Sequence, residues 1–217
     1  MAEPTVFLCD DDEGVRASIA FLLRQHDVPV ATFTNGAQLL DMLRTTRPLP
    51  RGICVLDVRM DPMSGLQVHD ALIAEGLDQR LPVVFLSGHG DIPMAVGAMA
   101  RGAFHFVEKP YADDDLVGLL RRALTLEAQW HARLSEQDQL RERFQGLSRQ
   151  QMRLMPLVAA GELNKTIAWK MELSVRTVEE HRRRIFERLH VHSAAELATL
   201  LAQARAIGVP IESTDSH

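Results

Sequence analysis

Ile53-Cys54-Val55-Leu56-Asp57, followed by Val58-Arg59-Met60-Asp61-Pro62-Met63-Ser64-Gly65, is the stretch that decides the fold. A short apolar run bounded by turn residues reads as a buried strand. Asp57 then stands at the strand's carboxyl end, where open α/β sheets place their ligands. Three further apolar runs end in polar residues. Thr5-Val6-Phe7-Leu8-Cys9 leads into Asp10-Asp11-Asp12, Pro82-Val83-Val84-Phe85-Leu86 into Ser87-Gly88, and Ala103-Phe104-His105-Phe106-Val107 into Glu108-Lys109-Pro110. As parallel neighbours these strands would gather three carboxylates, a hydroxyl and an ammonium in one pocket.

Working outward, the first 124 residues alternate the two patterns. Strands are expected near 5–9, 29–33, 53–57, 82–87 and 104–107, and helices near 13–26, 35–45, 65–75, 91–101 and from 113 onward. Repeated βα units imply a parallel sheet with helices on both faces. Five units fit the doubly wound, flavodoxin-like order 2-1-3-4-5, which sets Asp10 and Asp11 beside Asp57.

The expected pocket has a chemical logic. Clustered carboxylates repel, and a hard divalent cation relieves the repulsion. Mg²⁺ takes one or two carboxylates, keeps waters and accepts phosphate oxygens. A carboxylate beside it can attack a phosphoryl group and become an acyl phosphate, with Lys109 and the Ser87 hydroxyl on the phosphoryl oxygens.

Residues 5–124 resemble the receiver domain of two-component response regulators, on Asp10-Asp11, Asp57, Ser87, Phe106 and Lys109-Pro110. The stretch from Ser87 to Val96 is similar to the nitrogen-fixation regulator subfamily. The resemblance implies Asp57 as phosphoacceptor. It implies Mg²⁺ (or Mn²⁺) held by Asp11, Asp57 and the Arg59 backbone carbonyl, with Asp10 binding through water. It implies Ser87, Lys109 and Phe106 as the phosphoryl-sensing residues, and a cis bond before Pro110. One departure stands out: the family places Pro directly after the residue matching Met60, whereas here Asp61 precedes Pro62. That reshapes the turn over the metal and adds a carboxylate.

The 217 residues fit one large domain or two small ones, and a 46% hydrophobic content can fill real cores. Cys9 and Cys54 both fall in buried-strand candidates and read as small apolar packing; two thiols without repeated spacing exclude a disulfide framework or zinc site. No apolar run approaches the roughly 18 residues of a membrane span. Met1-Ala2-Glu3-Pro4 lacks a basic segment followed by an apolar one, so a cytoplasmic location is expected. Charge is uneven. Residues 1–124 carry 11 Lys+Arg against 17 Asp+Glu, residues 125–146 carry 3 against 4, and residues 147–206 carry 10 against 6. An acidic first part and a basic second part imply separate tasks, the second on nucleic acid.

From Asp113 to Phe144 no proline interrupts the chain, and Leu119, Ala123, Leu126, Trp130, Gln137, Leu140 and Phe144 recur at three- and four-residue steps. This reads as one long helix, with residues 125–146 as linker. Its stripe could form an intermolecular coiled coil or pack on the chain's own domains. Gly146 suits the position after the helix end.

Residues 147–206 read as an all-α domain of four short helices capped by Ser148, Asn164, Ser174 and Ser193. Pro156 lies inside the first. The turn Glu172-Leu173-Ser174 joins the second and third at helix-turn-helix spacing. Residues 207–217 read as a mobile tail. At about 100° per residue, Val175, Val178, Ile185, Phe186 and Leu189 share one side of the third helix. Thr177, Glu180, His181 and Arg184 centre the other, flanked by Arg176, Arg183 and Arg188. Such a face suits base edges and phosphates, and Lys165 is placed for a phosphate. Arg182 falls on the apolar side and is expected to hydrogen-bond Gln151. Leu197, Leu200 and Leu201 could form a dimer face or close the four-helix core.

This region resembles the effector domain of quorum-sensing and nitrate-response regulators, on Leu147-Ser148, Val158-Ala159-Ala160-Gly161, Asn164-Lys165-Thr166-Ile167-Ala168, Ser174-Val175-Arg176-Thr177-Val178 and His181-Arg182. Gln151 stands where that family usually has Glu. Together the two resemblances imply a transcription regulator. A sensor histidine kinase would phosphorylate it, and it would bind an inverted repeat in double-stranded DNA as a phosphorylation-promoted homodimer, without a membrane. Two alternatives are a regulator working without phosphorylation and an aspartyl phosphatase. The second usually has another acid where Arg59 stands.

Overall fold

The computed structural model describes residues 3–88 and 92–209. The expected first residue of the fourth helix, His89 to Asp91 of the quoted stretch, and the tail beyond residue 209 lie outside them. The chain divides into two compact units, Met1–Ala132 and Arg133–His217.

The first unit holds β1 (Thr5–Cys9), α1 (Glu13–Gln25), β2 (Val30–Phe33), α2 (Gly36–Thr45), β3 (Gly52–Asp57), α3 (Gly65–Ala74), β4 (Val83–Ser87), α4 (Ile92–Ala100), β5 (His105–Glu108) and the start of α5 (Asp113–Phe144). The strands are parallel in the order β2-β1-β3-β4-β5. Successive residues of the central strands point to opposite faces. Phe7, Cys9, Cys54, Leu56 and Phe85 meet Leu39, Leu40, Val68 and Leu72 of α2 and α3. Val6, Leu8, Ile53, Val55 and Val84 meet Ile19, Leu23, Leu116 and Leu120 of α1 and α5. All six residues of β3 are buried, as a central strand covered on both sides requires. Burial pushes the thiols of Cys9 and Cys54 up to about 12, so both stay protonated as core packing.

His69 on α3 is fully buried, and neither ring nitrogen has a hydrogen-bond partner. Its ring meets Phe85 edge-on at 5.5 Å. Burial, helped by Arg101 and opposed by Asp70 and Asp78, lowers its pKa below 6.5. The folded state therefore keeps the ring neutral, while the unfolded state takes up a proton as the pH falls below about 6.5. Stability at this position is complete above that pH and is lost as the pH falls towards the lowered folded value. His69→Leu should flatten the decline in urea midpoint between neutral and mildly acidic pH; an unchanged slope would contradict the assignment.

The second unit contains the end of α5, then α6 (Arg149–Ala159), α7 (Asn164–Met171), α8 (Val175–Leu189) and α9 (Ala194–Ala206). Its core includes Phe144, Leu154, Val158, Ile167, Val178, Ile185 and Leu189. Leu197, Leu200 and Leu201 are 0%, 7% and 4% exposed, so they close this core and offer no dimer face. Val209 is buried and Ile207 packs beside it, so the chain stays tied to the core three residues beyond α9. The stripe on α5 is likewise used within the chain: Leu119 and Ala123 in the first unit's core, Leu140 and Phe144 in the second's.

Two local expectations in this unit are corrected. Gln151 does not meet Arg182. Its Oε1 accepts the Ser148 N–H at 2.8 Å, and Ser148 Oγ accepts the Gln151 N–H at 3.2 Å, a closed capping box. Arg182 instead donates to Asn164 Oδ1 at 3.3 Å and lies over the Phe186 ring at 5.3 Å. Asn164 is thereby occupied and does not cap α7, which begins at Asn164 without a side-chain cap. Because Glu closes a capping box as well as Gln, Gln151→Glu should leave the effector stable. Ser148→Ala should cost about 1 kcal/mol in urea unfolding.

Candidate functional site

Four strand ends build the first site. The sheet order sets the end of β1 beside that of β3, with β4 and β5 following. Asp57, the last residue of β3, is 8% exposed, and Asp10, just after β1, is 1% exposed. Lys109 Nζ donates to Asp10 Oδ2 at 2.9 Å and to Asp57 Oδ1 at 2.7 Å. The remaining oxygens are held by the backbone: Asp12 N–H donates to Asp10 Oδ1 at 2.9 Å, and Arg59 N–H to Asp57 Oδ2 at 2.7 Å. Burial alone would lower the Lys109 pKa, but its bonds to Asp57 and Asp10 outweigh this and raise it. The ammonium is therefore charged at neutral pH and offsets two buried negative charges.

Ser87 ends β4, is 3% exposed, and accepts the Lys109 N–H at its carbonyl at 2.7 Å. Phe106 on β5 is half-buried, its ring 6.2 Å from that of Phe85. Lys109-Pro110 is cis, as are Arg47-Pro48 and Asp61-Pro62. Gly65 starts α3 directly against Asp57. A Cβ there would lie 2.2 Å from the Asp57 carbonyl oxygen, so only glycine allows the approach.

Asp11 is exposed. It borders an open cleft of about 500 Å³ shared with Arg59, Met60, Asp61, Ser64 and Met94. Asp61, the residue exchanged with proline in the turn, thus adds its carboxylate to this rim. Among the described residues no three acids close on a common point as a metal cage would. Asp10 and Asp57 converge on Lys109 instead. The donor set still fits a hard divalent cation, since it consists of oxygens alone and its buried carboxylates already face a positive charge.

The second cluster lies on α8. Ser174 caps it through the Thr177 N–H at 3.0 Å. Glu172, in the left-handed region at φ 55°, turns the chain from α7 towards it. Val178, Ile185 and Leu189 are buried, while Val175 is 36% exposed at the helix start. Arg176, Arg183, Arg184 and Arg188 are exposed, as is Lys165 on α7; Thr177, Glu180 and His181 are half-buried. Glu180 accepts from Arg183 at 2.9 Å and Arg184 at 2.7 Å, bonds that hold its pKa down at about 2. Arg183 also reaches Glu187, and His181 Nε2 meets Gln150 Oε1 at 3.1 Å. Arg188 differs from the others, donating to the carbonyls of Glu142 and Gln145. The sequence reading missed that engagement and its counterpart, Arg143. The signal available was a basic residue in the last turn of a helix before glycine.

Comparison with known proteins finds a family match in each of the two units. Residues 6–121 match the response regulator receiver domain, and residues 145–201 match the bacterial regulatory proteins of the luxR family. The chain is 42% identical over 193 residues to the tetrathionate response regulatory protein TtrR of Salmonella typhimurium, covering 89% of each. It is 35% identical over 195 residues to the response regulator protein TmoT of Ectopseudomonas mendocina, covering 90% of this chain and 86% of that one. Among solved structures, response regulator StyR superposes with a TM-score of 0.84 at 37% identity, over 93% of this chain and all of the other.

Proposed function

This chain belongs to the response regulators that join a receiver domain to a luxR-family DNA-binding domain, and we propose that it accepts a phosphoryl group on Asp57 from a sensor histidine kinase and responds by binding DNA. The observation that carries the proposal is the convergence of Asp10 and Asp57, from adjacent strand ends, on one ammonium. An Asp57 oxygen attacks phosphorus, and the P–N bond to the kinase histidine breaks as the new O–P bond forms. The Arg59 N–H fixes the carboxylate's orientation during attack. Lys109, already charged, moves its bond from carboxylate to phosphoryl oxygen. Asp10, Asp11, Asp57 and the Arg59 carbonyl would hold Mg²⁺, which when bound supplies positive charge to the phosphoryl oxygens. The Ser87 hydroxyl then turns towards the new oxygens, and Phe106 follows into the space it leaves.

The domain boundaries are proposed as 1–124 for the receiver, 125–146 for the linker and 147–206 for the effector. Burial of Glu127 against Arg51 supports extending the receiver's hold on the helix a little further. The chain serves as acceptor and not as a turnover phosphatase, since exposed Arg59 stands where a second acid would be needed. Among the described residues no helix is long and apolar enough to cross a membrane; the regulator works in the cytoplasm.

On DNA, Thr177, Glu180, His181 and Arg184 face base edges, with Arg176, Arg183 and Lys165 on phosphates. Pairing of two chains on an inverted repeat is supported by α4, which leaves Ile92, Val96 and Met99 75%, 62% and 44% exposed. Arg184→Ala should relax preference at one base pair, costing about 1–3 kcal/mol, whereas Lys165→Ala should weaken all sequences alike and reduce the salt slope. A competition assay on randomised duplexes distinguishes the two patterns. The phosphoacceptor reading is tested by incubating the chain with acetyl phosphate and Mg²⁺. A stable aspartyl adduct supports it; catalytic turnover would indicate a phosphatase, and no adduct a regulator independent of phosphorylation.

A further inference from the structure

We propose that Arg188 is a positioning residue that fastens the recognition helix to the end of the linker helix, and that Arg143 closes the same fastening from the other side. Helix ends leave carbonyls without intrahelical donors, and these carry negative partial charge. At the end of α5, the carbonyls of Glu142, in its last turn, and Gln145, just past it, receive Arg188 Nη2 at 3.2 and 2.7 Å. At the last residue of α8, the Leu189 carbonyl receives Arg143 Nη2. Each helix thus supplies the arginine that caps the other's carboxyl end.

Two further observations fit a built contact. Gly146, at φ +100°, lies beneath the Arg188 guanidinium: a Cβ there would come within 3.4 Å of Nη2. Phe144, 5% exposed, anchors the same turn in the core that contains Ile185 and Leu189. Midway along α5, Glu127 accepts Arg51 in two bonds of 3.0 and 2.8 Å. The linker helix is therefore held by charged side chains within each unit. Arg188 is spent on this contact, so it is not one of the phosphate-binding arginines of α8. The end of α5 and the end of α8 open and move as one body.

This deepens the DNA-binding reading, and its test separates the two. In the full-length chain, binding to a random-sequence duplex is measured against salt for wild type, Arg188→Ala and Lys165→Ala. Each phosphate neutralised contributes about 0.9 to the slope of log affinity on log salt. Lys165→Ala should lose that amount; Arg188→Ala should keep the wild-type slope. Hydrogen exchange is then followed at 140–147 and 186–191. Arg143→Ala and Arg188→Ala should each speed exchange at both ends, and the double variant should add little to either, as expected when two residues close one contact. Arg143→Lys and Arg188→Lys replace any alanine variant that fails to fold, and should fall between wild type and alanine. A slope reduced by about 0.9 in Arg188→Ala, or faster exchange confined to one helix end, would overturn the proposal. Absence of duplex binding by the wild type would instead count against the DNA-binding reading, leaving hydrogen exchange to decide the coupling.

Discussion

Asp57→Asn should take up no phosphoryl group from acetyl phosphate or a kinase, and its DNA affinity should be the same with and without the donor. An amide oxygen is far less nucleophilic than a carboxylate, so the acyl phosphate cannot form. Shape is retained: the asparagine oxygen can still accept from Lys109, and Asp10 keeps its own bond to that ammonium at 2.9 Å. The variant should therefore fold, with loss of labelling confined to chemistry. Ser87→Ala should keep the label while weakening activation, since a hydroxyl drawn to the phosphoryl oxygens contributes only to the activated state. Labelling of Asp57→Asn at the wild-type level would place the acceptor elsewhere.

Arg51→Met should be strongly destabilising although it lies outside the Asp57 site. Glu127 has a side chain 2% exposed, and Arg51, 17% exposed, is its ion-pair partner. Removing one partner of a buried pair typically costs about 3–5 kcal/mol, because the other charge remains buried. The bond to Glu127 raises the Arg51 pKa, so the guanidinium stays charged. Replacing both residues, as Arg51→Met with Glu127→Leu, should recover most of the loss, since an apolar pair leaves no stranded charge. The check is the urea midpoint of the receiver transition. A change of about 0.5 kcal/mol or less, as for an ordinary surface substitution, would contradict the pairing.

The receiver's architecture was legible because its signals are local. Strand runs ending in Asp10, Asp57, Ser87 and Lys109 each carry their own turn residues, and the handedness of βα units leaves few ways to order them. Once ordered as β2-β1-β3-β4-β5, the strand ends must neighbour one another. Side chains whose role depends on which helix faces which were not legible. Helical angle placed Arg182 on an inner face of α8 but could not say that Asn164, and not Gln151, would meet it. The same angle put Arg188 among the exposed cations, where it stands, but could not say that the end of α5 would engage it. The Arg51–Glu127 pair joins residues 76 apart, and His69 sits in a core without a hydrogen-bond partner to announce it. The leucines of α9 gave equal support to a dimer face and a core until the packing of α6 and α9 decided for the core.

The most direct test of the account is the DNA affinity of the full-length chain before and after phosphorylation, measured by titrating a selected inverted-repeat duplex at fixed salt. A gain of about 5–150-fold, the usual range of coupling between two sites, is expected in the wild type and not in Asp57→Asn. Equal affinity of the labelled and unlabelled wild type would show that Asp57 does not control the effector.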